Sequence, residues 1–478
     1  MSIGARMHIV IIGNGVAGIE AALTVRHRLA EASITIVSEE SAHFFSRTAL
    51  MYVLSGQLSH EDIEPHERDL YARMGFTRVR ARATGVDVAG RRVLLAGGLD
   101  PVPYDRLLIA CGSRPRPGPW PGSDLRGIGH FVTHQDLAWL EQELYGGPGR
   151  GGPPPEADAH LARSTPDSPY RPRPAAAEQR GRRAERAAVI GGGLIGIEVV
   201  ETMVAAGLRP HFFIREEYFW PIALNADESG WIADRMAEHG VQVHLHTGVE
   251  RFEADEAGNV AAVVDARGRR HAIDCAVIAI GVQPNTDWLQ GSDIELDEHG
   301  GVVVGPDLST SAPGVHAAGD CASVRWFNGV RRPEQLWYTA RDQGRVAGRA
   351  MLGDEVRYQR GRWYNSAKLF DIEYTTAGLV DFGFDDMWSW YWEERGAVRS
   401  TTRICCRGDR VVGFNLLGRR WDHTMLIRWI AERRTLPWVL EHLSEARFDT
   451  ELVPPLRLPA EAISQARQQA SAHLSPAS

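Results

Sequence analysis

Two glycine-rich segments in the sequence have the residue types and the spacing needed to bind the phosphates of a dinucleotide. The first is GNGVAG at 13–18, and the second is GGGLIG at 191–196. In the G-x-G-x-x-G pattern the first glycine permits a tight turn, the second lets the backbone approach a pyrophosphate, and the third allows close packing of a helix on a strand. The N-terminus of the helix that follows attracts the negative phosphates. The sequence therefore contains two candidate dinucleotide sites.

Charged residues follow each glycine segment at the distance where a ribose is recognised. Glu39 and Glu40 come about 20 residues after the first segment, where an acid commonly accepts hydrogen bonds from ribose hydroxyls. Arg215, Glu216 and Glu217 follow the second segment. An acid at this point favours NADH, whereas an arginine accommodates the 2′-phosphate of NADPH. The sequence consequently leaves the coenzyme open and is compatible with the use of both.

The hydrophobic pattern predicts the elements that must position both segments. Apolar runs predict strands at 8–12 and 33–37 around a helix from about 15 to 30. A second β-α-β unit has predicted strands at 187–190 and 211–214. Such units build a parallel, doubly wound sheet. Two units of this kind indicate two different dinucleotides, and a flavin with a nicotinamide is the natural pair because hydride transfer needs a donor and an acceptor.

Length and composition limit the remaining function classes. The chain has 478 residues, of which 44% are hydrophobic and 24% are charged, as in a globular protein with several domains. Its net charge of −8 argues against nucleic acid or an anionic membrane as the main partner. The five cysteines form no C-x-x-C pair and the histidines show no HExxH spacing, so we expect no metal site and a reducing, cytoplasmic location. No apolar run is long enough to predict a membrane span.

Five further segments make the sequence similar to a known family. They occur at 44–56 (FFSRTALMYVLSG), 104–117 (YDRLLIACGSRPRP), 276–286 (AVIAIGVQPNT), 315–324 (VHAAGDCASV) and 335–353 (QLWYTARDQGRVAGRAMLG). With both glycine segments, the chain resembles the FAD-dependent pyridine nucleotide–disulfide oxidoreductase superfamily. Within it, the likeness is to the ferredoxin/rubredoxin reductase, nitrite reductase flavin-subunit and apoptosis-inducing-factor-like branch. The resemblance implies an α/β fold with two Rossmann-like domains, for FAD and NAD(P), and a C-terminal α/β module.

The resemblance also implies domain boundaries. The expected parts are an FAD-binding domain at 1–122 and 281–355, an NAD(P)-binding domain at 123–280, and a C-terminal interface or dimerisation module at 356–450. A Pro/Gly/Arg-rich insertion at about 146–186 is interpreted as a flexible linker, because its composition cannot bury a core. Residues 451–478 are interpreted as a disordered polar tail.

Carried over position by position, the resemblance implies the residues of both cofactor sites. FAD would be held by Gly13, Gly15, Val16, Ala17, Gly18, Glu39, Arg47, Ala110, Gly112, Gly319, Asp320 and Trp337. NAD(P)H would be held by Gly191, Gly193, Ile195 and Gly196, and the charge after the second strand adds Arg215 to this set. Glu198, just inside the second helix, would lie near the nicotinamide and is the candidate catalytic residue.

Two departures from the family pattern bear on function. Disulfide reductases carry redox cysteines just after the first β-α-β unit, where this chain has Ser46 and Thr48. Because hydroxyls cannot exchange with disulfides, this difference removes thiol–disulfide chemistry from that position. Ferredoxin-reductase relatives often have a lysine where this chain has Tyr52, so a strict ferredoxin-reductase assignment does not follow.

The resemblance implies an enzyme, an FAD-dependent NAD(P)H oxidoreductase. It would pass hydride from NAD(P)H to FAD and then electrons to an acceptor, with a ferredoxin- or rubredoxin-like protein as the leading choice. Two alternatives stay open. One is an NAD(P)H oxidase or a reductase of quinones or nitro compounds. The other is a flavin-bound interaction protein resembling apoptosis-inducing factor. The C-terminal module would cover the flavin or form a homodimer interface.

Aromatic and cysteine residues in the C-terminal module have a structural interpretation. Trp388, Trp390 and Trp392 alternate along a predicted strand and therefore share one face. We expect that face to pack in a core or a subunit contact, because tryptophan rarely stays exposed without a partner. Cys405 and Cys406 are adjacent on a predicted strand and point to opposite faces, so they do not suit a shared metal.

Overall fold

The computed structural model describes residues 7–146, 184–326, 329–380, 385–395, 399–448, 456 and 458–473. The predicted insertion at 146–186 lies outside the described residues, apart from its first residue and its last three.

Helices occur throughout the described residues. They are α1 (Val16–Arg28), α2 (Leu50–Leu54), α3 (Leu70–Arg73), α4 (His134–Tyr145), α5 (Leu194–Ala205), α6 (Ala226–Glu238), α7 (Trp337–Met351), α8 (His423–Ala431), α9 (Leu436–His442) and α10 (Ala460–Ala472). In the part of the chain that the structure describes, none of these helices has the length and apolar character needed to cross a membrane.

Strands make up the rest of the regular structure. The first half of the chain contains β1 (His8–Ile12), β2 (Ser33–Val37), β3 (Phe76–Val79), β4 (Ala83–Asp87), β5 (Arg92–Leu95), β6 (Val102–Pro103), β7 (Arg106–Ile109), β8 (Ser113–Pro115), β9 (Ile128–Gly129), β10 (Ala187–Ile190), β11 (His211–Phe213) and β12 (Gln242–His244). The second half contains β13 (Val249–Ala254), β14 (Val260–Asp265), β15 (Arg270–Ala272), β16 (Cys275–Ile278), β17 (Val282–Pro284), β18 (Val302–Val303), β19 (Val315–Ala317), β20 (Ala322–Arg325), β21 (Arg331–Pro333), β22 (Tyr364–Leu369), β23 (Ile372–Gly378), β24 (Met387–Glu394), β25 (Ser400–Arg407) and β26 (Arg410–Leu417).

The described residues fall into two compact units. One contains those of Met1–Gly191, Ala205–Leu208 and Val249–Arg360, and the other contains those of Gly192–Val204, Arg209–Gly248 and Gly361–Ser478. The expected NAD(P)-binding domain at 123–280 contributes to both units, and the expected FAD-binding segments belong to the first. The domain boundaries drawn from the resemblance therefore stay a prediction.

The first β-α-β unit lies in a parallel sheet with the strand order β19-β7-β1-β2-β3. β1 and β2 have the same bounds as the two strands that the hydrophobic pattern predicts. Val10 and Ile11 of β1 are fully buried, as expected for a parallel sheet covered on both faces. In the register of this sheet, Ile12 lies opposite Ile109 of β7, and Ile109 lies opposite Ala317 of β19. The carboxyl ends of three strands therefore meet at one edge.

α1 packs closely against α7 beside this sheet. A Cβ atom on Gly344 would lie 2.3 Å from the carbonyl oxygen of Ala17, and one on Gly348 would lie 2.9 Å from that of Ala21. Glycine at these two positions of α7 allows the two helix backbones to approach each other. This contact brings the start of α7 toward the segment that follows β1.

The second β-α-β unit has the predicted order of elements. β10 leads through the second glycine segment into α5, which ends at Ala205. In the first compact unit, β10 pairs in parallel with β16, and β16 pairs in parallel with β9. In the second unit, β11 pairs in parallel with β12. These parallel pairs confirm the predicted α/β class, because parallel strands need crossover connections between them.

The C-terminal module is built on an antiparallel sheet with the order β22-β23-β26-β25-β24. Trp390 of β24 is 3% exposed and packs in a core with Phe414 of β26 and Trp429 of α8. Trp388 and Trp392 pack against the same core. The core interpretation of the alternating tryptophans is confirmed. Cys405 and Cys406 are both buried, and the β25–β26 register shifts between them.

The predicted disorder of the tail is wrong for α10. Ala462, Ala466 and Ala470 are spaced four residues apart and are buried along one side of this helix. The first two lie in the same core as the tryptophans of the C-terminal sheet. The sequence analysis missed this helix because its segment is mostly polar. Its buried stripe consists of alanines, which favour a helix but are only weakly apolar. The rest of the expected tail lies largely outside the described residues.

Candidate functional site

The first glycine turn connects the end of β1 to the start of α1. Gly13 has a φ of 113°, and a Cβ atom there would lie 2.0 Å from the carbonyl oxygen of Ala110. A Cβ atom on Gly18 would lie 2.0 Å from the carbonyl oxygen of Gly13. For Gly15, by contrast, no described atom lies within 4 Å of the Cβ position. The first and third glycines therefore serve packing, and the second faces open space.

That open space lies in front of the N-terminus of α1. Gly15 is the N-cap residue, and among the described residues no side chain caps this end of the helix. Val16, Ala17 and Gly18 form the first turn, whose N–H groups have no partners within a helix. Uncapped N–H groups and the positive end of the helix dipole suit a pyrophosphate. The turn therefore fits the phosphates of FAD.

Further residues of the predicted FAD set lie beside the first glycine turn, at the carboxyl ends of β1, β7 and β19. Ala110 and Gly112 follow β7, and Gly319 and Asp320 follow β19. Because the three strands are neighbours and parallel, their carboxyl ends bring these residues beside the glycine turn. Ligands of open α/β sheets bind at such an edge. The structure thus brings together residues that are about 300 positions apart in the sequence.

Asp320 is held in a defined orientation at this edge. Its Oδ2 accepts a hydrogen bond of 2.7 Å from the Ser113 hydroxyl. Burial raises the pKa of Asp320 above its ordinary value, although the Ser113 hydrogen bond and the charge of Arg47 act in the opposite direction. The backbone N–H of Gly319 donates to Gln343 Oε1 on α7 over 2.8 Å. Ser113 and Gln343 lie within two of the segments that carry the resemblance, but the sequence analysis assigned neither of them a role.

Arg47 is held by the carboxylate of Glu40, a contact that the sequence analysis did not predict. Its two terminal nitrogens donate to the two oxygens of Glu40 over 2.7 and 2.6 Å, and one of them also donates to the Val132 carbonyl. Glu40 further accepts from the backbone N–H of His134 at the start of α4. Burial acts to raise the pKa of Glu40, but the Arg47 guanidinium holds it below its ordinary value. The pair therefore stays charged and fixes Arg47.

Glu39 and Trp337 complete the predicted FAD set. Glu39 follows β2, and its carboxylate lies 4.0 Å from the Arg82 guanidinium. Trp337 begins α7, and its buried Nε1 has no hydrogen-bond partner among the described residues. A buried donor without a partner suits a ligand acceptor at this position. That feature agrees with the placement of this segment near the flavin that the resemblance implies.

The second glycine turn has the same backbone geometry as the first. Gly191 has a φ of 120°, and a Cβ atom there would lie 2.3 Å from the carbonyl oxygen of Ala279. The Cβ position of Gly193 has no neighbour within 4 Å in the described parts of the chain. Ile195 and Gly196 follow in the first turn of α5. The turn therefore offers a second opening of the kind that a pyrophosphate needs.

Glu198, the candidate catalytic residue, lies on α5 just after this turn. Burial and the neighbouring Glu201 raise its pKa to about 8. Glu201 accepts a hydrogen bond of 3.0 Å from the backbone N–H of Phe370. Glu198 is consequently a neutral acid at pH 7, which is typical of a carboxyl group adapted to a site rather than to solvent.

Arg215 lies just beyond the end of β11, and its side chain is largely exposed. Its side chain is 84% exposed, and one terminal nitrogen lies 2.9 Å from Glu216 Oε1. The structure therefore places both an arginine and an acid just after β11, and the expected role of this position in distinguishing NADPH from NADH stays a prediction. The coenzyme preference stays a prediction.

Hydroxyl groups occupy the place where disulfide reductases carry their cysteines. Ser46 Oγ and Thr48 Oγ1 lie 3.2 Å apart at the start of the short 3₁₀ turn Arg47–Ala49. All five cysteines belong to the described residues, and none of them forms a disulfide. Cys111 and Cys321 lie in segments of the FAD edge, where Cys111 Sγ contacts the Asn285 carbonyl and Cys321 is fully buried.

Comparison with known proteins agrees with this geometry. The family model described as pyridine nucleotide-disulphide oxidoreductase matches residues 7–344. The ferredoxin reductase component of a chlorobenzene dioxygenase from Cupriavidus sp. is 30% identical over 348 residues, which are 72% of this chain and 74% of the relative. Rhodocoxin reductase from Rhodococcus erythropolis is 27% identical over 456 residues, which are 93% and 94% of the two chains.

A solved structure shows the same fold. Putidaredoxin reductase, in its covalent complex with putidaredoxin, superposes with a TM-score of 0.74 at 22% identity and covers 98% of this chain and all of its own. The α/β fold with two Rossmann-type domains is thereby confirmed. The family match and the two glycine turns together show that the chain belongs to the pyridine nucleotide-disulphide oxidoreductase family and is an FAD-dependent NAD(P)H oxidoreductase.

Proposed function

We propose that this protein is a reductase that delivers electrons from NAD(P)H, by way of FAD, to a small redox protein of the ferredoxin class. The observation that carries the proposal is the extent of similarity to rhodocoxin reductase, which reaches 93% of the chain and includes the C-terminal module. The 30% identity to a ferredoxin reductase component supports it independently. FAD supplies the chemistry that links a hydride donor to a one-electron acceptor.

The first site would hold FAD through residues that are already oriented. The open face of Gly15 and the N-terminus of α1 would take the pyrophosphate, and Glu39 would accept from the adenosine ribose. Asp320, oriented by Ser113, and Arg47, oriented by Glu40, would meet the flavin half. Because these side chains are fixed before the cofactor binds, little freedom is lost on binding.

The second site would hold NAD(P)H and exchange it. The open face of Gly193 would take the coenzyme pyrophosphate, and Arg215 or Glu216 would meet the adenosine ribose. Glu198, with its pKa raised to about 8, would present a neutral carboxyl group near the nicotinamide at pH 7. A neutral acid places no full negative charge beside the coenzyme.

The hydroxyl pair Ser46 and Thr48 supports an acceptor outside the protein. A disulfide relay would need a thiolate at this position, and a hydroxyl cannot take that part. In the proposed function, electrons therefore pass from the flavin to a separate molecule without a relay at this position. A transiently docked redox protein is such an acceptor, as are a quinone and molecular oxygen.

Steady-state NADH and NADPH oxidation against a panel of acceptors tests the proposal. The panel consists of a [2Fe–2S] ferredoxin, a rubredoxin, a quinone and air, with every other assay kept anaerobic. We expect the fastest turnover with an iron–sulfur protein, and a rate that falls as salt screens the docking charges. Rapid oxygen consumption without a partner would instead indicate an oxidase. Slow turnover with every acceptor would indicate a flavin-bound interaction protein.

We also propose that the protein works in the cytoplasm. Five cysteines that form no disulfide, four of them buried, suit a compartment that keeps cysteines reduced. Fractionation of the source cells, with activity followed in each fraction, tests this location. Activity confined to an exported fraction would contradict it.

A further inference from the structure

Tyr71 lies behind the first glycine turn and belongs to neither set of predicted site residues. It is on α3 and only 3% exposed. Its hydroxyl donates a hydrogen bond of 2.7 Å to Asn14 Oδ1 and accepts one of 2.8 Å from the backbone N–H of Phe44. A single buried hydroxyl thus joins the glycine turn to the segment that leads to Arg47.

The ring of Tyr71 is held in place from several sides. Phe76 meets it edge-on with a centroid separation of 6.3 Å, and His43 does so at 5.8 Å. The guanidinium of Arg78 lies 4.9 Å from its centroid. Burial raises the pKa of Tyr71, so the hydroxyl keeps the proton that it donates. The hydroxyl uses one donor and one acceptor position, and both hydrogen bonds fix its direction.

The hydrogen bond to Tyr71 anchors the glycine turn at its most permissive point. Asn14 stands between Gly13 and Gly15, which are the most permissive residues for the backbone. Asn14 is 7% exposed, so its side chain points away from the open face where a pyrophosphate would lie. An anchor on the buried side restricts the turn without occupying the binding side. Such restriction lowers the conformational freedom that is lost when a ligand binds.

We propose that Tyr71 is a positioning residue that preorganises the FAD site by tying the phosphate turn, through Asn14, to the segment 44–47, through Phe44. The proposal rests on the use of FAD that family membership gives. It assigns to α3, a four-residue helix without a motif, a part in cofactor affinity. The pyrophosphate would then bind at the glycine turn and the flavin half near the segment 44–47, and the Tyr71 hydroxyl would hold these two segments in a fixed relative position.

The variant Tyr71→Phe tests this role because it keeps the ring and removes the hydroxyl. It leaves a buried amide and a buried amide oxygen without their partner, so the turn loses its anchor. We expect the folded apoprotein to bind FAD about 10-fold more weakly and the holoenzyme to release FAD about 10-fold faster. Flavin fluorescence follows both processes and requires no turnover.

Tyr104→Phe is the matched control. Tyr104 is 4% exposed, and its buried hydroxyl has no hydrogen-bond partner among the described residues. Its removal should change FAD affinity by less than about twofold. Asn14→Ala should weaken FAD binding, and adding Tyr71→Phe to it should weaken binding little further, since both changes break the same link.

The outcomes separate positioning from simple structural support. A lower melting temperature of the Tyr71→Phe apoprotein with unchanged FAD affinity would overturn the proposal. If the variant apoprotein does not stay folded, the FAD release rate of the holoenzyme decides, and a wild-type rate would also overturn it. Wild-type protein that purifies without FAD and takes up none would instead contradict the FAD assignment itself.

Discussion

The two glycine turns share a backbone design and differ in what surrounds them. In each, the first glycine has a strongly positive φ and lies against the carbonyl group of the residue that follows the neighbouring strand, Ala110 for Gly13 and Ala279 for Gly191. In each, the second glycine faces open space. The residue between these glycines differs: Asn14 is bonded to Tyr71, whereas a Cβ atom on Gly192 would lie 2.8 Å from Ile214.

The charged residues that follow the two turns differ in their exposure to solvent. After the first turn, Glu40 is enclosed and paired with Arg47. After the second, Arg215 is 84% exposed and pairs with its neighbour Glu216. A site built from fixed and enclosed side chains suits a resident cofactor, and an exposed site suits a coenzyme that must leave after each turnover. The difference supports the proposed division of roles, with resident FAD at the first turn and exchanging NAD(P)H at the second, and it teaches that the side chains around a glycine turn can adapt it to either role.

The largest effect should come from filling the second glycine of each turn. Gly15→Val should fold, because its Cβ position has no close neighbour and its backbone is extended, but should bind FAD at least about 100-fold more weakly and purify colourless. The matched Gly193→Val should stay yellow and lose NAD(P)H-driven flavin reduction by a similar factor. Absorption spectra and anaerobic reduction measure both. A folded Gly15→Val protein with a full flavin spectrum would contradict the assignment.

A smaller effect is expected at the exposed ribose position of the second site. Arg215→Ala removes a charge that would meet a 2′-phosphate, so kcat/KM for NADPH should fall about 10-fold while that for NADH changes less than about threefold. Arg209→Ala, which removes another exposed arginine before β11, controls for general charge. Steady-state kinetics with both coenzymes measure the change. A strong NADH preference in wild type that survives Arg215→Ala would show that Arg215 does not meet the ribose.

The two helices also carry different acids at the same position, two residues after the third glycine. Glu20 on α1 pairs with Arg345, whereas Glu198 on α5 lies beside Glu201. The pKa of Glu198 is raised from 4.5 to about 8, so the folded protein holds a proton that the unfolded chain releases at lower pH. The contribution of protonated Glu198 to the free energy of unfolding is therefore fully present below about pH 4.5 and is lost as the pH rises through about 8.

Glu198→Gln removes this pH dependence. We subtract the melting temperature of wild type from that of the variant at each pH. This difference should rise by about 3 °C or more between about pH 5 and 8 and should stay constant at higher pH. Thermal unfolding in a series of buffers of equal ionic strength measures the difference. A difference that stays constant over this range would mean that Glu198 is ionised in the folded protein at neutral pH.

The smallest effect is expected from the thiols. A variant with all five cysteines replaced should oxidise NAD(P)H within about twofold of wild type, because Ser46 and Thr48 leave no thiol at the family's redox position. Anaerobic titration with NADH should deliver about two electrons per FAD without a thiolate charge-transfer band. Uptake of about four electrons with such a band would show that Cys111 or Cys321 takes part.

The local pattern predicts the elements of this fold well. β1 and β2 have the predicted bounds, and α1 and α5 begin within the two glycine segments because glycine spacing and apolar runs are local signals. The family resemblance extended these signals to Gly112, Asp320 and Trp337. The helix at Ala460–Ala472 was missed because its buried stripe consists of alanines in a polar segment.

By itself, the sequence determined the two glycine turns, the class of fold and the family, since each turn and each family segment consists of residues close together in the chain. The tertiary structure alone decided which distant side chains orient the site. Tyr71 reaches Asn14 and Ser113 reaches Asp320 from separate segments of the chain. The physical reason is the strand order β19-β7-β1-β2-β3, which places the ends of nonconsecutive strands side by side. A linear pattern carries no record of that order.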